Sequence, residues 1–166
     1  MIMKKLMIVL FVGFVAISAT AQQKFGYLNT QEMIVQMPEY AEAQKKHEAF
    51  QMEQQRKYET MVTNYQTKEA QFQNGQLTMT ETEKQMIYNE LQTLAQQIQQ
   101  YEQTVPQLIQ NHQGELIGAI VEKVQNAAKE VGAESGFIYI FDTNVLVYQG
   151  GGEDVTSLVK KKLGLL

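Results

Sequence analysis

The chain offers few side chains that could carry chemistry. Its 166 residues include no cysteine and two histidines, His47 and His112. Without cysteine there is no thiol nucleophile, no disulfide and no thiolate metal site. The two imidazoles are therefore the main candidates for metal binding or proton transfer.

The two histidines are predicted to lie too far apart to share a metal ion. They lie in helix-forming stretches on opposite sides of Gly75. Counted from Gly75, His112 is about nine residues farther along than His47, a height difference of roughly 13 Å on paired helices. A structural zinc site also normally has four ligands. We predict no metal, and interpret the histidines as polar residues that set helix register, with a pH sensor as a lesser hypothesis.

Two other polar segments are typical of turns. Residues 150–152 are Gly-Gly-Gly before a helix, but the Lys of a phosphate-binding loop is missing and Glu153 and Asp154 would repel phosphate. Residues 142–144, Asp-Thr-Asn, are ordinary turn formers with no base or nucleophile nearby. We therefore predict no catalytic or cofactor-binding residue, and a protein that is not an enzyme.

The middle of the chain predicts a long helical hairpin. Good helix formers dominate, and apolar residues recur at steps of three and four in each half. Asn74 and Gly75 interrupt the pattern, where a residue with positive φ would end the first helix, and Thr78 with Glu81 or Thr80 with Glu83 would start the second. The predicted seam between the helices includes Phe50, Met61, Tyr65, Leu91, Leu94, Ile98, Tyr101 and Leu108.

Pro106 lies inside the second predicted helix. A proline there lacks the backbone donor and clashes with the carbonyl of Glu102, so a kink is expected. We hypothesise that Pro106 is a hinge that lets the hairpin arms splay, with a static bend as the alternative.

The ends of the chain predict a small β-rich body that carries this arm. Residues 24–28 alternate like a short strand, Asn29 caps a short helix, and Pro38 separates that helix from the long one. Residues 137–141 and 145–148 are aromatic and β-branched, which predicts a β-hairpin that pairs with the first strand. Asp154 is expected to cap a last helix. The apolar strands favour self-association through Phe25, Tyr27, Phe137, Ile138, Ile140, Val145 and Val147.

The predicted fold class is α+β, in which a long antiparallel helical hairpin projects from a body built by both chain ends. The body would comprise residues 22–37 and 133–166, and the arm residues 38–132 with its tip near residues 74–80. A hairpin with one seam cannot form a compact globule, so it must be mounted on such a body.

The N-terminus predicts export. Lys4 and Lys5 precede an apolar run of about a dozen residues that ends in Ala-Thr-Ala at residues 19–21, which is typical of a secretory signal cleaved near Ala21. An uncleaved anchor is the alternative, although the run is shorter than a membrane span. Removal of residues 1–21 would change the formal charge from -4 to -6, and an acidic chain disfavours nucleic acid as a partner.

The order of these segments resembles the Skp/OmpH family. The matching stretches are Lys-Phe-Gly-Tyr-Leu-Asn-Thr at residues 24–30, Ile-Tyr-Ile-Phe-Asp-Thr-Asn-Val-Leu-Val-Tyr at residues 138–148, and Asp-Val-Thr at residues 154–156. The resemblance implies a homotrimer with a small β-barrel body, whose coiled-coil arms enclose a cavity that holds unfolded outer-membrane proteins in the periplasm without ATP.

One departure from the family concerns charge. Well-known members are basic, whereas this chain is acidic, so no lipopolysaccharide-binding residues are carried over and lipid binding stays open. The alternative to a chaperone is an exported coiled-coil adaptor of the cell envelope that holds no client.

Overall fold

The computed structural model describes residues 23–166, so the predicted signal sequence at residues 1–21 lies outside the described residues. The fold is mostly helical with a small three-stranded sheet, in line with the α+β class. Along the chain the elements are β1 (Lys24–Leu28), α1 (Thr30–Gln36), α2 (Pro38–Gly75), α3 (Glu81–Ser135), β2 (Phe137–Asp142), a 3-10 turn (Thr143–Val145), β3 (Glu153–Asp154) and α4 (Thr156–Lys162).

Local signals set the first two helix boundaries. The Asn29 side chain accepts a hydrogen bond from the backbone N–H of Glu32 at 3.0 Å, which satisfies a free donor at the start of α1. Pro38 lies in the first turn of α2, where its missing donor costs nothing. Both positions agree with the sequence prediction.

Helices α2 and α3 run antiparallel and contact each other along their lengths. Lys68 pairs with Glu90 near the turn, and the Tyr58 hydroxyl donates to Glu102 at 2.6 Å. Lys123 pairs with Glu39 close to the sheet. The midpoint of each pair falls between residues 79 and 81, so the hairpin is centred near Thr80 rather than at Gly75.

The turn between the long helices differs from the prediction in its backbone. Gly75 is the last residue of α2 and has no positive φ; its carbonyl accepts from the N–H groups of Thr78 and Met79 at 2.9 and 3.1 Å. The Met79 side chain folds over Gly75, so that a Cβ at residue 75 would lie 2.4 Å from the Met79 methyl and would require this flexible side chain to move. Thr80 and Glu83 form the reciprocal capping box that starts α3.

The sheet is entirely parallel, in the order β2-β1-β3, so the predicted β-hairpin is wrong. Residues 145–148 form no strand. The Asp142 carboxylate accepts from the Asn144 N–H at 2.8 Å and begins a 3-10 turn, which leads the chain away from β2 instead of reversing it. Gly151, at φ 90°, then helps to bring β3 to the far side of β1.

A bulge in β2 decides which side chains face the core. Lys24 is opposite Phe137 and Phe25 is opposite Tyr139, so Ile138 is an extra residue between them. Ile138 and Tyr139 are consequently both exposed, whereas Phe137 is buried. A bulge of this kind breaks the strict alternation that a sequence reading assumes.

The core lies between the inner face of the sheet and helices α1, α3 and α4. Gly26 faces this core, where a Cβ would lie 3.0 Å from the Val155 side chain. The core also includes Ala43 and residues of α3 between 120 and 131, so the roots of both long helices belong to the body, contrary to the predicted boundary at residue 132. The buried apolar residues are Leu28, Met33, Ile34, Met37, Ala43, Ile120, Val124, Ala127, Ala128, Val131, Phe137, Val155 and Val159.

The last helix is fixed by charge as well as by packing. The Asp154 carboxylate accepts from the first N–H of α4, that of Thr156, at 2.9 Å. At the other end Lys162 lies 2.6 Å from Glu134 and 3.0 Å from Glu130, and these hydrogen bonds raise the pKa of Lys162. Cations in the last turn of a helix are favourable to its dipole. Within residues 23–166 no helix carries an apolar stretch long enough to cross a membrane.

Candidate functional site

The outer face of the sheet carries four aromatic side chains, Phe25, Tyr27, Tyr139 and Phe141, which we call the aromatic face. Phe25 stacks on Tyr139 with ring centroids 6.1 Å apart, and Tyr139 lies 5.8 Å from Phe141. Tyr139 is 58% exposed, whereas Phe25 and Phe141 are 38% and 40% exposed. Parallel sheets are normally covered on both faces. The aromatic face is therefore a surface that a second protein chain can cover.

The structure divides the seven predicted oligomerisation residues into three groups. Phe25, Ile138, Val145 and Val147 are exposed. Tyr27 and Ile140 are half-buried; a Cβ at Gly152 would lie 3.0 Å from the Tyr27 ring. Phe137 is buried in the core of its own chain, so its assignment to a surface was wrong.

Sequence reasoning missed Tyr139 and Phe141 as surface residues. Both lie in an aromatic strand that reads as apolar on either face, so the sequence does not say which face is outside. The only signal was their spacing of two residues, which places Tyr139 and Phe141 on the same face of a strand. Phe137 has the same spacing from Tyr139, but the bulge at Ile138 puts Phe137 on the opposite face.

Hollows flank the exposed edge of β2. One hollow of about 570 Å³ lies between β2 and α3 and is lined in part by Val121, Lys129 and Ile138. A smaller one of about 210 Å³ lies beneath the segment that follows β2 and is lined by Leu146 and Tyr148 together with Phe25, Tyr27 and Phe141 of the aromatic face. The exposed Val147 belongs to this same segment. The apolar surface thus continues from the aromatic face around the edge of the sheet.

The predicted seam residues of the arm lie on both long helices. Phe50, Met61 and Tyr65 are half-buried on α2, and the half-buried residues of α3 include Leu91, Leu94, Ile98 and Tyr101.

Leu108 was wrongly placed in the seam. It is 45% exposed, and its neighbour Ile109 is half-buried instead. Up to Val105 the half-buried positions of α3 alternate between steps of three and four residues. The step from Tyr101 to Val105 and the next step, from Val105 to Ile109, are both four, so the alternation shifts there. Such a change corresponds to a longer hydrophobic repeat, closer to that of a straight helix. It begins beside Pro106, which lies inside the unbroken helix α3.

One polar pair crosses the seam in the middle of the arm. Gln54 is only 3% exposed, and the Tyr101 hydroxyl donates to its side-chain oxygen at 2.9 Å. The same hydroxyl lies 3.2 Å from the Gln54 backbone oxygen. A buried polar group needs a partner, so this pair favours one register of α2 against α3.

The two histidines also meet across the seam, which overturns the predicted separation. The Nδ1 atoms of His47 and His112 are 3.4 Å apart. The prediction measured heights from Gly75, but the hairpin is centred four to five residues later, which cancels the nine-residue offset. Among residues 23–166, no group of three His, Cys, Asp or Glu side chains is placed to hold a metal ion.

Several basic residues of the arm pair with nearby carboxylates. Lys57 lies 2.8 Å from Glu53, and their hydrogen bond raises the pKa of Lys57 and lowers that of Glu53. Lys84 lies 2.7 Å from Glu81, and Lys68 pairs with Glu90. These pairs mix the two signs of charge along the arm, which is typical of a solvated helix face.

Comparison with known proteins supports the resemblance seen in the sequence. Residues 24–163 match the model of a family described as outer membrane protein (OmpH-like). A protein named Chaperone protein Skp from Photorhabdus luminescens is 26% identical over 97% of this chain and 99% of its own length. Proteins with the same name from Photorhabdus laumondii and Yersinia enterocolitica are each 24% identical, over 97% and 89% of this chain and 99% and 91% of their own lengths. The chain therefore belongs to the OmpH-like family.

Proposed function

We propose that this protein is an ATP-independent holdase chaperone, which binds unfolded outer-membrane proteins in the periplasm and prevents their aggregation. The observation that carries the proposal is the family match over residues 24–163, together with similarity to proteins named chaperones over nearly the whole chain. The predicted signal at residues 1–21 supports export.

The proposal includes a homotrimer. The aromatic face supports it, because a parallel sheet with one uncovered aromatic side loses water-exposed apolar area when another copy covers it. Three such sheets would form a small barrel, with Val145 and Val147 at the junctions between neighbouring copies. The three arms would then project from one base and surround a shared space.

The arm suits a client that has no fixed shape. Its exposed apolar residues are spread out rather than gathered in one patch, and among them are Met52, Leu77, Met86 and Tyr88. Methionine is flexible and adapts to different surfaces, so many weak contacts with an unfolded chain are favoured over one rigid pocket. Reversible holding needs no bond-breaking step and no nucleotide.

Suppression of aggregation tests the proposal. An outer-membrane β-barrel protein unfolded in urea would be diluted into buffer with or without the purified protein, in the absence of ATP, and light scattering would be followed. We expect scattering to fall as the chaperone concentration rises. Unchanged scattering, together with a stable folded partner in pull-down experiments, would favour the envelope adaptor instead.

A matched pair of variants links holding to assembly. Tyr139→Ser with Phe141→Ser removes two rings of the aromatic face and is expected to abolish both trimer formation and the suppression of scattering. Tyr88→Ser removes a ring that is 51% exposed on the arm and is expected to leave the trimer intact. Light scattering and sedimentation of both variants would show whether the aromatic face is needed.

A further inference from the structure

The histidine pair has the geometry of a shared proton rather than of a metal site. The ring centroids are 5.7 Å apart and the Nδ1 atoms 3.4 Å apart, with the planes inclined by 17°. The difference of 2.3 Å is about twice the distance from the centre of an imidazole ring to its own nitrogen. The two Nδ1 atoms therefore point at each other along one line, as in an N–H···N hydrogen bond, whereas the ligands of a tetrahedral ion converge at an angle.

Neighbouring groups decide how many protons the pair accepts. In the neutral pair the Gln51 amide, 3.0 Å away, donates to His47 Nε2, and His47 Nδ1–H donates to His112 Nδ1. One added proton goes to His47 Nε2 once the Gln51 amide turns its oxygen inward, and the bond between the rings becomes charge-assisted. A second proton has to go to His112 Nδ1, where it meets the Nδ1–H of His47 head-on.

We propose that His47 and His112 form a pH-sensitive latch between the two arm helices, which holds with no proton or one proton added and opens when the second proton binds. Histidine is the side chain that ordinarily changes charge between about pH 5 and pH 8, which makes it suited to a latch that responds to pH. The latch is a property of the arm and does not depend on client binding.

The latch lies where opening would have the largest effect on the arm. Below it, Ala43 and Ile120 are held in the core of the body. Above it the two helices contact only each other, through the seam and through polar pairs such as Tyr58 with Glu102. The Phe50 ring stacks on His112 at 4.0 Å. Separation of the two imidazolium rings would uncover Phe50 and spread the arm helices above a fixed root.

Charged residues on both helices surround the pair. On α2, Lys46 and Glu48 flank His47 in sequence, and on α3 Glu115 lies one turn from His112. Glu42, Lys46, Glu115 and His112 line one groove beside the pair. The carboxylates favour both protons and Lys46 opposes both.

The test measures arm separation and histidine protonation together. The chain has no cysteine, so Gln55→Cys and Gln103→Cys place spin labels on exposed sites of α2 and α3 above the pair, on the part of the arm that is expected to open. The labelled chain, diluted into unlabelled protein, would be frozen at steps from pH 8 to pH 5 and the label distance measured. In parallel, nuclear magnetic resonance of the unlabelled protein would follow both imidazoles.

We expect two separate protonation steps, with the label distance increasing at the second step. His112→Asn keeps a polar group near the Nδ1 position but cannot gain the proton, so its distance should stay constant to pH 5. Glu115→Gln removes one carboxylate beside the pair and should still open, at a somewhat lower pH than the parent chain.

Either of two results would overturn the latch. One is protonation of both histidines in a single step with a constant label distance. The other is opening that persists in His112→Asn or disappears in Glu115→Gln. If far-ultraviolet circular dichroism shows that His112→Asn does not fold, the imidazole titration and label distances of the parent chain decide by themselves.

Discussion

At the scale of single residues, the arm is held in register by polar side chains that meet across its seam. Gln54 is the one buried polar residue among those described, and the Tyr101 hydroxyl satisfies it. A polar pair of this kind contributes less by its own strength than by the cost of leaving one partner unsatisfied.

Tyr101→Phe removes the hydroxyl and leaves the buried Gln54 oxygen without its donor. We expect a loss of about 1–3 kcal/mol in the free energy of unfolding. Tyr88→Phe, which loses the hydroxyl of a tyrosine 51% exposed, serves as the control and should change stability by less than about 0.5 kcal/mol. Urea unfolding at one fixed protein concentration checks both; equal losses would contradict the role of the pair.

The ion pair between Glu39 and Lys123 predicts an acid-sensitive contribution to stability. A hydrogen bond from Lys123 lowers the pKa of Glu39 below its ordinary value of 4.5. A carboxyl with a lowered pKa stabilises the fold above the unfolded value, and this contribution is lost as the pH falls through the folded value.

Glu39→Gln should therefore be less stable than the parent chain at pH 7, and the difference should shrink as the pH falls below about 4.5. Thermal unfolding across this pH range measures it. A difference that is constant with pH, or that grows in acid, would show that the ion pair is not its source.

At the scale of elements, the features set by neighbouring residues were predictable from the sequence. Asn29 caps α1, Pro38 opens α2, and Thr80 with Glu83, one of the two starts that the sequence offered, opens α3. Each is a contact within three or four residues, so its residue types are enough to identify it. The centre of the hairpin was not predictable from Gly75, because it depends on how two separate helices pair.

The start of α3 gives a direct test of such a local signal. Thr80→Ala removes the side-chain oxygen that accepts from the Glu83 N–H, and should cost about 1 kcal/mol of stability. Thr82→Ala, two residues inside the same helix, is the control and should be neutral or slightly stabilising, because alanine is the better helix former. Urea unfolding of both variants compares them; a loss at Thr82 as large as that at Thr80 would count against the capping box.

Pro106 is the element-scale candidate for arm movement. Alanine at this position restores a backbone donor to the carbonyl of Glu102, so Pro106→Ala should slow amide exchange around residues 102–110 and raise stability. Gln107→Ala is the matched control, since it leaves the backbone unchanged. If exchange and the size range of clients are the same in Pro106→Ala and the control, Pro106 is not a hinge.

At the scale of the whole molecule, the long helices and a small sheet built from both chain ends follow from the sequence, but the partner of each strand does not. Residues 145–148 have strong β propensity yet form no strand, because the turn after Asp142 leads away from β2. Phe137 and Tyr139 are two residues apart and would lie on the same face of a regular strand, but the bulge at Ile138 puts them on opposite faces. Strand pairing depends on tertiary contacts, and local propensity cannot determine it.

Uncovered apolar surface on the body connects this architecture to function. The half-covered sheet supports the proposed assembly, in which several arms would surround one space. The proposed function therefore requires that subunit association and client holding occur together.

Native mass spectrometry of the purified protein, mixed without ATP with an outer-membrane protein diluted from urea, tests this requirement most directly. If the chain is a trimeric holdase, the spectra should show particles that contain three copies of the chain and one client. The variant with Tyr139→Ser and Phe141→Ser should give single copies without client. A parent chain that remains a single copy and binds no client would contradict the proposed function.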